Sequence, residues 1–175
     1  MTRTFLLLDV DGTVFPLPHR KVTPAHDQLT TAIAVPPRVP AKVAFRPAVV
    51  EAVKRWAASE ADVQWLSSWG WKTKWLDQVG LPQLPVLYSP EPGEIFFWNR
   101  SRLSWKKPVL GELLEQQTSP FRVAWIDDDS FSVAYGEELR AAYPLLKDLL
   151  LIQPDCYEGL TDEEIRRVEQ FLAAQ

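Results

Sequence analysis

Residues 4–13 read TFLLLDVDGT, and this stretch decides the fold. Four apolar residues, Phe5 to Leu8, lead directly into Asp9 and Asp11. An apolar run this short, with polar residues on both sides, predicts a strand buried on both faces, as in a parallel sheet. Gly12 permits the tight turn that has to follow. We therefore expect two carboxylates at the carboxyl end of a central strand, which is where ligands bind in open α/β sheets.

Alternating acids followed by a glycine also open the calcium-binding loop of EF-hands, which has Gly at its sixth position and Glu at its twelfth. Counted from Asp9, these positions hold Val14 and Arg20. The sequence therefore excludes an EF-hand loop. A plain acidic turn is the alternative that this motif alone leaves open.

The composition is that of a globular protein: 46% of the 175 residues are hydrophobic and 24% are charged. This length fits a single domain, 1–175, with a core of its own. The net charge of −4 gives no general attraction to nucleic acid or to anionic membranes. The single cysteine, Cys156, fits a reducing compartment, and the apolar runs are too short for a signal peptide or a membrane span. We expect a cytoplasmic protein that makes no membrane contact, and no obligate protein partner is evident.

Four later segments are also predicted to be strands, because each is a short apolar run beside turn-forming residues. They are Val63–Leu66, Val86–Tyr88, Phe121–Ile126 and Leu149–Ile152. Helical spacing of apolar residues predicts four helices, which begin at Pro47, near Trp71, at Pro108 and after Thr161. The second of them is expected to bury the stripe Trp71, Trp75, Leu76 and Val79 and to end at Gly80. The last opens with a capping box formed by Thr161 and Glu164.

Polar residues that could take part in binding or catalysis lie at the ends of these elements. Ser67 and Ser68 follow the second predicted strand, and capping of the next helix is the alternative role for them. Lys106 and Lys107 precede the third helix. Three consecutive acids, 127–129, follow the fourth strand and would repel one another, a cost that a bound magnesium ion would relieve.

The segment 14–45 separates the first acidic turn from the first helix. Its prolines and its lack of helical period predict a mostly irregular excursion that can contain a short hairpin. Because it begins beside the acidic turn, we expect a flap or small cap, in which Arg20 and Lys21 contact an anionic substrate. Solvated loop charges are the alternative role for these two residues.

The motifs LDVDGT, WLSSWG, WK before a helix, WIDDD and GLTDEEI together resemble the haloacid dehalogenase (HAD) superfamily, most of whose members are phosphatases. Within it, the chain is similar to the small HAD domains of "Swiss Army knife" RNA-repair proteins. The resemblance implies a Rossmann-like α/β three-layer sandwich with a mainly parallel sheet, strand order 5-4-1-2-3 and a minimal cap. Serine stands where that family's second motif is expected to have threonine.

The resemblance also implies a set of roles. Asp9 would be the nucleophile that forms an aspartyl-phosphate, and Asp11 the general acid and base. Ser67, with Ser68 beside it, and Lys106 would bind the phosphate, with Lys107 the fallback for the lysine. Mg²⁺ would be held by the residues Asp9, Asp11 (through its main-chain carbonyl), Asp127 and Asp128.

The function implied is magnesium-dependent hydrolysis of a phosphate monoester on a nucleotide or a nucleic-acid end. The partner is then a phosphorylated small molecule or a nucleic-acid end. Two alternatives stay open: a HAD-like module that binds a phosphorylated ligand or a protein without turnover, and a phosphotransferase. The intact pair of Asp9 and Asp11 argues against the first of these.

Overall fold

The main sheet is built around β1 (Arg3–Leu8), whose last four residues are buried. β1 pairs in parallel with β4 (Asp62–Trp65) on one side and with β5 (Phe121–Ile126) on the other. β6 (Leu146–Ile152) pairs in parallel with β5, so the strand order is β4-β1-β5-β6. The apolar run that opens the sequence is thus an inner strand, as predicted.

The structure, a computed structural model, describes residues 2–19, 26–35, 41–89, 103–129 and 131–174. Within these ranges every helix is too short or too polar to cross a membrane. The fold is α/β, with the four-stranded parallel sheet and a separate two-stranded antiparallel ribbon.

The predicted five-strand order 5-4-1-2-3 is not matched in full, because the segment Val86–Tyr88 does not form a strand. It makes a single parallel bridge, between Trp65 and Val86, on the expected side of β4. The Trp65 N–H donates to the Pro85 carbonyl at 2.8 Å and the Leu87 N–H donates to the Trp65 carbonyl at 2.9 Å. Pro85 has no N–H to donate, so the ladder cannot continue through it.

The ribbon lies inside the 14–45 insertion and consists of β2 (Leu29–Ile33) and β3 (Ala41–Phe45). It packs into the core rather than standing free, since Ile33 is fully buried. The Gln78 side chain also exchanges two hydrogen bonds with the main chain of Ala34, at 3.0 and 3.1 Å. The insertion therefore contains a regular hairpin anchored to the domain, and is less irregular than the sequence indicated.

Within the described residues four α-helices cover the two faces of the sheet: α1 (Pro47–Ala57), α2 (Leu103–Glu115), α3 (Val133–Ala142) and α4 (Asp162–Ala173). The side chains of alternate β1 residues lie on opposite faces of the sheet. Leu6 and Leu8 join the core formed with α1 and α4. Phe5 and Leu7 join the core formed with α2 and α3. This alternation is the period of two expected of a strand with helices on both sides.

Two of the helices depart from prediction, α2 in where it begins and α3 in being present. α2 begins at Leu103, so Lys106 lies within the helix and Pro108 lies inside it instead of starting it. α3 was not predicted, because Gly136 in its middle weakens the helical signal. The one local cue for α3 is Ser132, whose hydroxyl accepts a hydrogen bond from the Tyr135 N–H at 3.1 Å.

The helix after β4 is a 3-10 helix, Gly70–Val79, followed by Gly80 in the left-handed conformation. The apolar stripe predicted for it is wrong at Trp71, which is 50% exposed, whereas Leu76 is fully buried. In an α-helix residues four apart share a face, but at three residues per turn they are about 120° apart. Trp71 and Trp75 therefore separate, and Trp71 faces solvent.

The capping box of α4 provides a test of the local structure. The Thr161 hydroxyl accepts from the Glu164 N–H, and the Glu164 carboxylate accepts from the Thr161 N–H at 2.8 Å. Thr161→Ala should lower the free energy of unfolding by about 1 kcal/mol, because it leaves a helix N–H without its partner. Urea denaturation measures this loss. Thr161→Ser keeps the hydroxyl and is the matched control; an equal loss in both variants would contradict the role of the cap.

Candidate functional site

A buried lysine links two buried carboxylates at the carboxyl edge of the sheet. The Lys106 Nζ lies 2.8 Å from Asp9 Oδ2 and 2.6 Å from Asp127 Oδ2. The side chains of Lys106, Asp9 and Asp127 are only 3%, 7% and 0% exposed. Charged groups are rarely this buried unless they are paired. Lys106 is 97 positions from Asp9 and 21 positions from Asp127 along the chain, and these three residues form the centre of the candidate site.

The parallel sheet places the two acids next to each other. Asp9 directly follows β1 and Asp127 directly follows β5, and these strands are neighbours in register. The Asp9 N–H donates to the Ile126 carbonyl at 3.0 Å, and the Asp127 N–H donates to the Ile152 carbonyl at 3.1 Å. Both acids therefore remain tied to the sheet by their main chain. The prediction that acids gather at this edge is thus reproduced by the strand register.

Each carboxylate is also held by donors other than the lysine. Asp9 Oδ1 accepts from the Val10 N–H at 2.7 Å, and Asp127 Oδ1 accepts from the Asp129 N–H at 3.2 Å. Asp127 Oδ2 accepts from the indole N–H of Trp125 at 3.2 Å. Sequence reasoning missed Trp125. The signal was present, because Trp125 lies two residues before Asp127 and positions two apart on a strand share a face.

Burial and charge shift the titration of this cluster. Burial, reinforced by the negative charge of Asp9, raises the pKa of Asp127 to about 8, although Lys106 opposes the shift. Burial alone would lower the pKa of Lys106, but the carboxylates of Asp9 and Asp127 outweigh it and raise that pKa above its ordinary value. Lys106 is therefore an ammonium at every physiological pH.

The turn after Asp9 is closed by its own main chain. The Val10 carbonyl accepts from the N–H groups of Val14 and Phe15 at 3.0 and 2.9 Å, and the Gly12 N–H donates to the Phe15 carbonyl at 2.7 Å. Gly12 has a φ of 74°, and a Cβ there would lie 2.4 Å from the Asp128 carboxylate. Glycine is thus required for the backbone conformation and for the approach of Asp128. Asp11 projects from this turn and is partly exposed.

Three acids lie close enough together to share a cation. Asp9, Asp127 and Asp128 each offer one carboxylate oxygen within 4.8 Å of the other two. Oxygen donors of this kind suit hard divalent cations such as Mg²⁺ or Ca²⁺. Asp11 does not belong to this side-chain group, and its predicted contribution, a main-chain carbonyl, stays a prediction.

The structure separates the two serines and the two lysines that the sequence left as alternatives. Ser67 is fully buried at the end of β4, where its hydroxyl accepts from the Trp69 N–H at 3.4 Å, while Ser68 is partly exposed. Neither side chain caps the 3-10 helix. Lys107 is exposed, with its Nζ 4.1 Å from the centre of the Tyr135 ring. Of the two lysines, Lys106 contacts the acids.

Some predicted residues fall outside what the structure describes. Arg20 and Lys21 lie in the gap at 20–25, so their predicted contact with the substrate stays a prediction. His19, at the edge of that gap, stacks against Tyr157 with ring centres 4.4 Å apart.

Comparison of the chain with protein-family models, with curated proteins and with solved structures gave no match. The likeness to the HAD superfamily therefore stays a resemblance of sequence motifs. The function proposed below depends on the contacts of Asp9, Lys106 and Asp127 and on those motifs.

Gly12 and Gly80 form a matched pair for testing the turn. Both have positive φ, but a Cβ on Gly80 would lie 3.6 Å or more from its neighbours, while one on Gly12 would collide with Asp128. Gly80→Ala should therefore lose only the roughly 1–2 kcal/mol of backbone strain, and Gly12→Ala should lose more stability in urea denaturation. Equal losses would show that Asp128 moves aside at no cost.

The pKa of Asp127 predicts how stability depends on pH. The pKa of Asp127 lies above its unfolded value. Between pH ~4 and about 8 the folded protein therefore holds a proton that the unfolded chain has already released. This contribution to stability is complete below that range and is lost as the pH rises through it. Without metal, in EDTA, the urea midpoint of the wild type should fall more between pH 5 and pH 8 than that of Asp127→Asn. Parallel pH profiles would assign the titration to another group.

Proposed function

We propose that the protein is a magnesium-dependent phosphohydrolase that acts through an aspartyl-phosphate on a phosphate monoester of a nucleotide or a nucleic-acid end. The observation that carries this proposal is the Lys106 ammonium held between the carboxylates of Asp9 and Asp127. A cation fixed beside a carboxylate nucleophile lets that carboxylate approach an anionic phosphate. The HAD resemblance adds support, because it is based on acids, a hydroxyl and a lysine that follow one another in this order along the chain.

Asp9 is the proposed nucleophile. One of its oxygens accepts from the Val10 N–H and the other contacts Lys106, so the carboxylate has a fixed orientation before substrate binds. Attack of Asp9 on phosphorus forms the acyl phosphate as the bond to the leaving oxygen breaks, and water then cleaves the acyl phosphate. This covalent route divides one difficult displacement into two easier ones.

Asp11 is the proposed general acid and base. It lies two residues beyond the nucleophile, on the turn closed by Val10 and Gly12, and is more exposed than Asp9. In the first step Asp11 would give a proton to the leaving oxygen. In the second it would take a proton from the attacking water.

Lys106 has a second role toward the phosphate. An ammonium has three N–H donors, and two of them contact Asp9 and Asp127. The third is proposed to donate to a phosphate oxygen. Ser67, buried at the end of the neighbouring strand, is proposed to donate to another. Fixed donors of this kind stabilise the charge that develops in the transition state.

The residues present fit a magnesium ion. Asp9, Asp127 and Asp128 supply oxygen donors, and with Lys106 they leave two more negative charges than positive ones when all are ionised. One divalent cation balances that excess, and oxygen donors are the type that Mg²⁺ prefers. When bound, the ion would offset the repulsion between the nucleophile and the phosphate.

Substrates that extend beyond the site are favoured by the small size of the insertion at 14–45. Its described part is a two-stranded ribbon packed against the 3-10 helix, which is too small to enclose a ligand as a separate cap domain would. A nucleotide or a phosphorylated nucleic-acid end is such a substrate. The resemblance to RNA-repair domains points to the same class.

The test is phosphate release from a panel of nucleotides, phosphosugars and phosphorylated DNA or RNA ends, with magnesium and with EDTA. The wild type should release phosphate only with magnesium. Asp9→Asn should abolish release, because it removes the nucleophile. Asp11→Asn should slow both steps but still form some phosphoenzyme when the leaving group is good.

Three results would contradict the proposal in different ways. Binding of phosphate ligands without turnover would indicate a non-catalytic module. Transfer of the phosphoryl group to an added alcohol in preference to water would indicate a phosphotransferase. Turnover that survives in Asp9→Asn, while its circular dichroism spectrum matches that of the wild type, would place the nucleophile elsewhere.

A further inference from the structure

Trp71 is an exposed tryptophan close to the candidate site. Half of its surface is accessible, although tryptophan is on average among the more buried residues. Single exposed apolar residues are common and need no function by themselves. Whether Trp71 has a role in binding must therefore be argued from the residues around it.

The backbone that carries Trp71 is held in place. The Trp71 N–H donates to the Ser89 hydroxyl at 3.1 Å, and the Thr73 hydroxyl donates to the Gly70 carbonyl at 3.0 Å. Gly70 has a φ of 49°, and a Cβ there would lie 2.4 Å from that same Ser89 hydroxyl. At its far end the 3-10 helix is fixed by Gln78 to the ribbon. The ring is thus presented by a preorganised turn, which lowers the entropy lost on binding a ligand.

The segment 69–76 that carries Trp71 has two lysines, followed by Asp77, whereas the whole chain has a net charge of −4. The Lys74 Nζ lies 5.0 Å from the ring centres of both Trp71 and Trp75. Lys72 lies between these residues, and the segment 69–76 contains no acid. Aromatic rings interleaved with lysines are the pattern by which proteins bind single-stranded nucleic acid: the rings stack on bases and the lysines contact phosphates.

Trp71 is also within reach of the proposed phosphate position. It lies four residues after Ser67, so the two Cα atoms are at most about 15 Å apart. Trp69, two residues before it, packs edge-on against Phe15 with ring centres 6.0 Å apart, and Phe15 closes the turn that carries Asp11 and Gly12. Trp71 therefore belongs to a segment that packs beside the turn after Asp9, and a short oligonucleotide is long enough to span from Asp9 to this segment.

We infer that Trp71 and Lys74 form a binding site for a single-stranded polynucleotide whose terminal phosphate is the one cleaved at Asp9. A base of the strand stacks on the Trp71 ring, and Lys74 contacts its backbone. This inference rests on the proposed function and narrows the substrate to a single strand, because the bases of a duplex are stacked on each other and are not available to the ring. A protein partner would use the ring but has no general need for the adjacent lysines.

The experiment measures binding and turnover separately. Binding of fluorescently labelled octathymidylate, without a terminal phosphate and in EDTA, is followed by anisotropy for the wild type, Trp71→Ala and Trp71→Phe. Trp71→Ala should weaken binding between about fivefold and 150-fold, the usual range for one stacked base. Trp71→Phe should recover most of the affinity. Leu29→Ala, which removes a side chain that is 51% exposed on the ribbon, is the control and should bind as the wild type does.

Turnover and salt dependence give two further readouts. Trp71→Ala should lower kcat/KM for octathymidylate phosphate at least fivefold relative to its kcat/KM for acetyl phosphate, which has no base. Lys74→Ala should reduce the slope of log K against log salt by about 0.7, the value for one phosphate contact on a single strand.

The possible failures are distinguishable. If the oligonucleotide binds in a Trp71-dependent way but no substrate releases phosphate, the proposed function is wrong and the binding site stands. If phosphate is released but octathymidylate binds equally to the wild type and Trp71→Ala, or does not bind at all, the inference about Trp71 is overturned. Equal binding of duplex and single strand would overturn the assignment of the ring to a base.

Discussion

The contact of the Lys106 ammonium with two buried carboxylates is the constraint on which the rest of this structure depends. Each of these charges has lost its water, and a buried charge without a partner is costly. The lysine therefore supplies a positive charge at the point where the two acids are brought together. Since α2 supplies the lysine, the position of that helix against β1 and β5 is fixed by electrostatics as well as by its apolar contacts with Phe5 and Leu7.

The parallel sheet makes this contact possible at low cost to the backbone. The carboxyl ends of β1 and β5 lie side by side, so Asp9 and Asp127 meet without an irregular chain path. Their N–H groups still pair with the next strand, at Ile126 and Ile152. The turn after Asp9 needs a positive φ, and Gly12 supplies it. The main-chain hydrogen bonds of the sheet thus hold the two acids next to each other.

Part of this arrangement could be predicted from the sequence because strand ends are marked by composition. Short apolar runs followed by acids locate Asp9 and Asp127, and four of the five predicted strands have the expected neighbours. The choice between Lys106 and Lys107 could not be made, since it depends on where α2 begins, and Pro108 suggested a later start. The exposure of Trp71 could not be predicted either. The apolar residues from Trp71 to Val79 have α-helical spacing, whereas the residues that the 3-10 helix buries, Gly70, Thr73 and Leu76, recur every three positions.

The buried cluster also bears on the cation that is proposed for this site. A core that needed only stability would gain as much from apolar side chains of similar volume. Here Asp9, Asp127 and Asp128 carry more negative charge than one lysine can neutralise. Burial and the charge of Asp9 accordingly raise the pKa of Asp127. Either a proton or a cation can supply the missing positive charge, and the two compete for Asp127. Cation binding must then release a proton, and affinity must rise with pH until Asp127 is ionised. On the proposed function, the cation that the site uses would therefore also stabilise this arrangement of charges.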